Sequence, residues 1–64
     1  MLVHHPQSTA ISRVSYEPET HQLDVQFTSG QTYTHENVPQ SVYEGLISAS
    51  SAGRYYQQNV KGIY

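Results

Sequence analysis

Ser51, Gly53, Arg54, Tyr55, Gln57 and Lys61, all near the C-terminal end, are the residues best suited to holding an anion. A serine ahead of a helical run is a good N-cap, and a helix start offers unpaired amide donors with a partial positive charge. Gly53 lets a ligand come close to the backbone. The Arg54 guanidinium can fork onto a phosphate or carboxylate. Arg54, Gln57 and Lys61 beside Tyr55 make a small contact patch for RNA or for an acidic protein surface. The same residues also suit a plain capped helix with a solvated outer face. Tyr33 and His35 carry two readings as well: a base-stacking platform of the kind found in single-strand binders, or packing beneath a helix.

Other chemistries find little support. The chain has no cysteine, which removes disulfides, thiolate nucleophiles and Cys-type zinc sites. His4 and His5 are adjacent, His21 falls in a turn, and no HExxH-type spacing occurs, so no metal is expected. Ser, His and acidic residues are present, but nothing places a nucleophile against a base, so no enzyme activity is expected.

Size and charge limit what can position these groups. Sixty-four residues make one domain at most and bury only about 60% of the extended surface. With no disulfide, stability must come from aromatic packing, with six Tyr and one Phe, or from self-association. Net charge is −2, with three Lys and Arg in all, whereas phosphate-backbone binders normally use many. The distribution is uneven. Glu17, Glu19, Asp24, Glu36 and Glu44 face only Arg13 in residues 1–49, while residues 50–64 carry Arg54 and Lys61 and no acid. The opening MLVHHPQS lacks the basic segment and apolar run of a signal peptide. No apolar stretch approaches the ~20 residues of a membrane span, so a cytoplasmic location with no membrane partner is expected.

Periodicity supplies the elements. Residues 1–7 read as a flexible lead-in to a single domain over 8–64. In 10–16, Val14 and Tyr16 share a face and Ile11 is out of phase, which suits a bulge or an edge. Pro18 marks a turn. In 22–28, Leu23, Val25 and Phe27 alternate with polar residues, and 31–36 form a third strand. A three-residue loop, Thr28-Ser29-Gly30, needs a left-handed residue at its third position, which Gly30 supplies. That register pairs Val25 with Tyr33 and Leu23 with His35, on the apolar face. Pro39 suits a first helical position. Val42, Tyr43, Leu46, Ile47 and Ala49 make an apolar helical stripe, with Gly45 as a point of close approach. Ser51 caps a second helix whose Ala52, Tyr56, Val60 and Ile63 point inward. Arg54 and Lys61 then face out, and Tyr55 lies at the rim beside them. The expected fold is α+β: a three-stranded antiparallel meander followed by two short helices packed on one face.

The order and spacing of Val14-Ser-Tyr16, Leu23-Asp-Val25-Gln-Phe27, Gly30, Tyr33, Val38-Pro39, Val42-Tyr43, Leu46, Ala49, Ser51-Ala-Gly53, Tyr55-Tyr56, Val60 and Tyr64 resemble the KTSC domain. That family is named for an extension of some lysyl-tRNA synthetases and also occurs as free-standing small proteins. The resemblance implies a β-meander with helices, no enzyme and no cofactor. It also implies RNA or a ribonucleoprotein as a partner, from the synthetase context. The family's central Tyr-x-Tyr is Tyr33-Thr34-His35 here, and Gln57 stands where the family often has Asn. The alternative is a protein–protein adaptor or a small homodimer, motivated by a small unstapled core and an open sheet edge.

Overall fold

The computed structural model describes residues 1–64. Alternating apolar residues build the strands β2 (Ile11–Glu17) and β3 (Gln22–Phe27), which form an antiparallel hairpin. The left-handed His21 (φ 60°) closes its turn, its N–H donating to the Glu17 carbonyl at 2.8 Å. The out-of-phase Ile11 is resolved by a bulge: Ile11 pairs with Phe27 while Arg13 pairs with Gln26. The extra residue turns Ile11 inward with Val14 and Tyr16, and all three are buried.

Strand β4 (Thr32–His35) returns beside β3 with Val25 opposite Tyr33 and Leu23 opposite His35, the register expected from a three-residue loop. Gly30 takes the left-handed position at φ 101°, and its N–H donates to the Phe27 carbonyl at 2.9 Å.

The sheet has four strands, not three. Leu2–His4 form β1, paired antiparallel along β2 with Leu2 opposite Tyr16 and His4 opposite Val14. The lead-in expected over 1–7 therefore contains a strand, and the sheet order is β1-β2-β3-β4. Met1, Leu2 and Val3 stay exposed. Backbone ladder bonds, which leave no hydrophobic pattern in the sequence, hold this strand.

Two helices, α1 (Gln40–Ser48) and α2 (Ala52–Asn59), cover the apolar face. The core contains Ile11, Val14, Tyr16, Leu23 and Val25 from the sheet, and Tyr43, Leu46, Ala52, Tyr56 and Val60 from the helical half. Val38 completes it and is the joint between the two layers. Its N–H donates to the His21 carbonyl at 2.9 Å, and its carbonyl accepts the buried Tyr16 hydroxyl. The Tyr16 ring stacks on Tyr43 of α1 with centroids 5.3 Å apart and planes 18° off parallel. Val38 so fixed delivers Pro39 as the residue preceding α1. Pro39 is extended (φ −64°, ψ 149°) and is the N-cap, one position earlier than its fixed φ suggested.

Two measurements follow from this core. Tyr16→Phe keeps the ring stack but leaves the Val38 carbonyl buried without its donor, an omission worth about 1–3 kcal/mol; urea unfolding is expected to show a loss in that range. Burial also holds the phenols of Tyr16 and Tyr43 above their ordinary range. Burial does the same for Tyr56, with a secondary like-charge contribution from Tyr33. A raised folded-state pKa gives stability that is complete below the unfolded value of about 10 and is lost as pH rises through the folded one. Unfolding free energy is therefore expected to be insensitive to these groups at neutral pH and to fall above about pH 10.

Candidate functional site

The helix that carries the anion-suited residues starts at an extended Ser51, whose Oγ accepts the Arg54 N–H at 3.4 Å. Ala52, Tyr56 and Val60 are buried as their spacing requires. Ile63 is not: it is 61% exposed. Regular helix ends at Asn59, the Val60 and Lys61 amides both donate to the Tyr56 carbonyl at 2.9 Å, and Gly62 turns left-handed at φ 81°. Helical periodicity thus stops before it can place Ile63. Arg54 and Lys61 are exposed, and neither is held by an acid; the one ion pair joins the N-terminal ammonium to Glu17 at 3.9 Å.

Gly53, Gln57 and Lys61, each four residues apart, line one side of a cleft of about 450 Å³. Phe27, Gln31, Tyr33 and His35 line the opposite side, with no Asp or Glu among the lining residues. A chain of tilted aromatic contacts runs across it. Phe27 meets Tyr33 at 5.5 Å and 67°, and meets Tyr56 at 5.2 Å and 85°. Tyr56 meets His35 at 5.5 Å and 63°.

Both nitrogens of His35 are engaged, Nε2 with the Tyr56 hydroxyl at 2.8 Å and Nδ1 with the Tyr64 carbonyl at 3.3 Å. A main-chain oxygen only accepts, so the consistent tautomer carries its hydrogen on Nδ1 and accepts a hydrogen bond from the Tyr56 hydroxyl at Nε2. Tyr33 donates its hydroxyl to Gln31 Oε1 at 2.9 Å. The register puts Tyr33 and His35 on the apolar face, yet Tyr33 remains 45% exposed while His35 is partly buried. Both lie on the outer strand β4, but His35 is covered by Tyr56 of α2, whereas Tyr33 meets Phe27 at an angle and keeps much of its ring in solvent. His35 is a bracket inside the cleft wall and Tyr33 is its open rim.

The six residues picked out on and beside α2 do not form one patch. Ser51, Arg54 and Tyr55 line a separate, shallower depression of about 170 Å³ with Ala49, Ser50 and Gln58. Tyr55 is half-buried and lies beside Arg54 but not beside Lys61. It packs over α1 at Gly45, where an added Cβ would lie 2.6 Å from Tyr55 Cζ. A helical wheel gives the direction of Tyr55 but not the neighbour waiting there. The cleft itself was missed because its walls come from distant stretches, although Gly53 and Gln57, four residues apart on α2, were a readable sign of one helix face. No three His, Cys, Asp or Glu side chains converge, and no helix is long and apolar enough to cross a membrane.

Comparison with known proteins places this geometry in context. The family model of the KTSC domain matches residues 7–64. An uncharacterised protein of Stutzerimonas stutzeri is 40% identical over 55 residues, 86% of this chain and 78% of that one. A lysine–tRNA ligase of Nostoc punctiforme is 39% identical over 59 residues, 92% of this chain but 10% of the ligase, so the chain spans about a tenth of that relative. The crystal structure of a KTSC domain protein from Yersinia pestis superposes with a TM-score of 0.90 at 29% identity, covering 97% of this chain and 87% of that one.

The Gly45–Tyr55 contact makes a test whose sign reverses. In an ordinary helix Gly→Ala is stabilising by about 1 kcal/mol, but here the new methyl displaces a half-buried ring, which costs about 1–3 kcal/mol. Gly45→Ala is expected to destabilise the protein in chemical unfolding. In a Tyr55→Ala background the same change is expected to stabilise it.

Proposed function

We propose, on the premise that the chain belongs to the KTSC domain family, that this is a non-enzymatic cytoplasmic binding module for RNA or a ribonucleoprotein, engaging it through the exposed side of α2. One observation carries the reading: Arg54 and Lys61 are exposed and unpaired, Lys61 at an aromatic cleft with no Asp or Glu in its lining and Arg54 at a separate depression on α2. Its similarity to a lysine–tRNA ligase, a protein named for its action with tRNA, supports the same partner class. Gly53 and Gln57 complete the contact on the cleft side. Ser51 holds the helix start by its cap bond, and Tyr55 seats the helix on α1.

Two cations on a chain of net charge −2 make for modest, salt-sensitive affinity. Releasing counterions from two phosphates corresponds to a log–log salt slope of about −1.4 on single strands. A second reading, a protein–protein adaptor or small homo-oligomer, draws on β4. That strand has a neighbour on one side only and is largely exposed, so its other edge is open to a strand from a partner.

Fluorescence anisotropy with tRNA and short single-stranded RNAs at low salt tests the first reading. Binding with that shallow slope is expected, and Arg54→Glu/Lys61→Glu is expected to weaken it at least about tenfold. Equal binding by the wild type and this variant sinks it. Light scattering over a concentration series addresses the second reading, and growth of mass with concentration favours it.

A further inference from the structure

We infer that the cleft between β4 and α2 takes one unpaired nucleobase with its phosphate, the base lying against Tyr33 and the phosphate at Lys61. The inference rests on the RNA reading above and narrows it to a single-nucleotide subsite.

The size suits such a ligand: about 450 Å³ lies within the roughly 300–1,000 Å³ of small-molecule sites. The walls are built before any ligand arrives. Tyr56 is wedged against Phe27 and bonded to His35, and His35 is tied at both ring nitrogens. Gly53 brings α2 close to the start of β2, for a Cβ there would sit 3.3 Å from that of Ala10.

What remains available is a short and specific set. The Tyr33 ring is anchored by its tilted contact with Phe27 and by its hydroxyl on Gln31, and nearly half of its surface is open at 45% exposure. A ring held from one side keeps its other side for a stacking partner, and every base offers a π-face. Gln31 and Gln57 bring amides, which present donors and acceptors together and so match the mixed edge of a base. Lys61 adds one exposed positive charge at the helix end.

Competing ligands fit less well. A purely apolar molecule would strip water from both amides without replacing their hydrogen bonds. A cation would meet Lys61 with no acid in the lining to hold it. An acidic peptide would bring more negative charge than one ammonium answers. A base with one phosphate uses the ring, the amides and the ammonium at once.

Amide and side-chain NMR titrations of the whole chain with AMP, GMP, CMP and UMP, and separately with ribose 5-phosphate and inorganic phosphate, test the inference. Saturable shifts at Phe27, Tyr33, Gln57 and Lys61 are expected with nucleotides but not with either phosphate control. Tyr33→Ala is expected to weaken nucleotide binding at least about fivefold, and Tyr33→Phe, which keeps the ring, to retain it. Tyr33 is exposed enough that both variants should fold, which unfolding curves verify. Equal shifts with inorganic phosphate reduce the cleft to an anion site and overturn the inference. If RNA binds in anisotropy while nucleotides leave the cleft unmoved and Tyr33→Ala binds RNA like the wild type, the subsite falls and the RNA reading stands. If nucleotides fill the cleft and RNA does not bind, the subsite stands as one for free nucleotides and the RNA reading falls.

Discussion

The hydrogen bond from the Tyr16 hydroxyl to the Val38 carbonyl joins the two halves of this protein. A phenol that is fully buried needs an acceptor, and the acceptor it finds is the backbone of the segment leading into α1. That choice propagates. Val38, bonded through its amide to His21 as well, sets where α1 begins. The position of α1 lets Tyr43 stack on the same Tyr16 ring and turns Gly45 toward α2. The ring of Tyr55 fills the space at Gly45 and sets the seat of the second helix. Only then is Tyr56 brought against Phe27 and His35, with the cleft beside it. The candidate site thus depends on a contact made on a different strand and a different helix.

Much of this architecture was legible in the residues. Gly30 favoured the observed β3–β4 register because a three-residue loop takes a left-handed residue at its third position. Ile11 announced a bulge by falling out of alternation with Val14 and Tyr16, and Gly45 announced a close approach by being a poor helix former in an otherwise apolar stripe. The failures share a cause: local pattern reports direction, not company. Leu2–His4 pair through backbone while their side chains stay largely outside, so no alternation marks them. Tyr55 points where the helical wheel says, but toward Gly45 rather than toward water. Ile63 lies past the end of the regular helix, where the period no longer holds. The cleft is formed by the start of β2, by β3, β4 and α2, and by Lys61 beyond α2, and no single stretch displays it.

The distribution of charge fits the same picture. The acids are confined to the first 49 residues and the last fifteen carry two cations and none of them. No Asp or Glu lines the cleft beside Lys61, despite the overall negative balance. An anion would be drawn to this side of an otherwise acidic molecule by placement rather than by net charge.

The first strand has a consequence of its own. Because β1 is short and held mainly by its ladder to β2, this ladder alone covers one side of a strand whose Ile11, Val14 and Tyr16 form much of the interior. Anything that drew residues 2–4 away would convert β2 from a central strand into a template, ready to accept the same three residues from a second molecule. Reciprocal strand exchange would then link two copies with no new sequence and with every native pairing preserved.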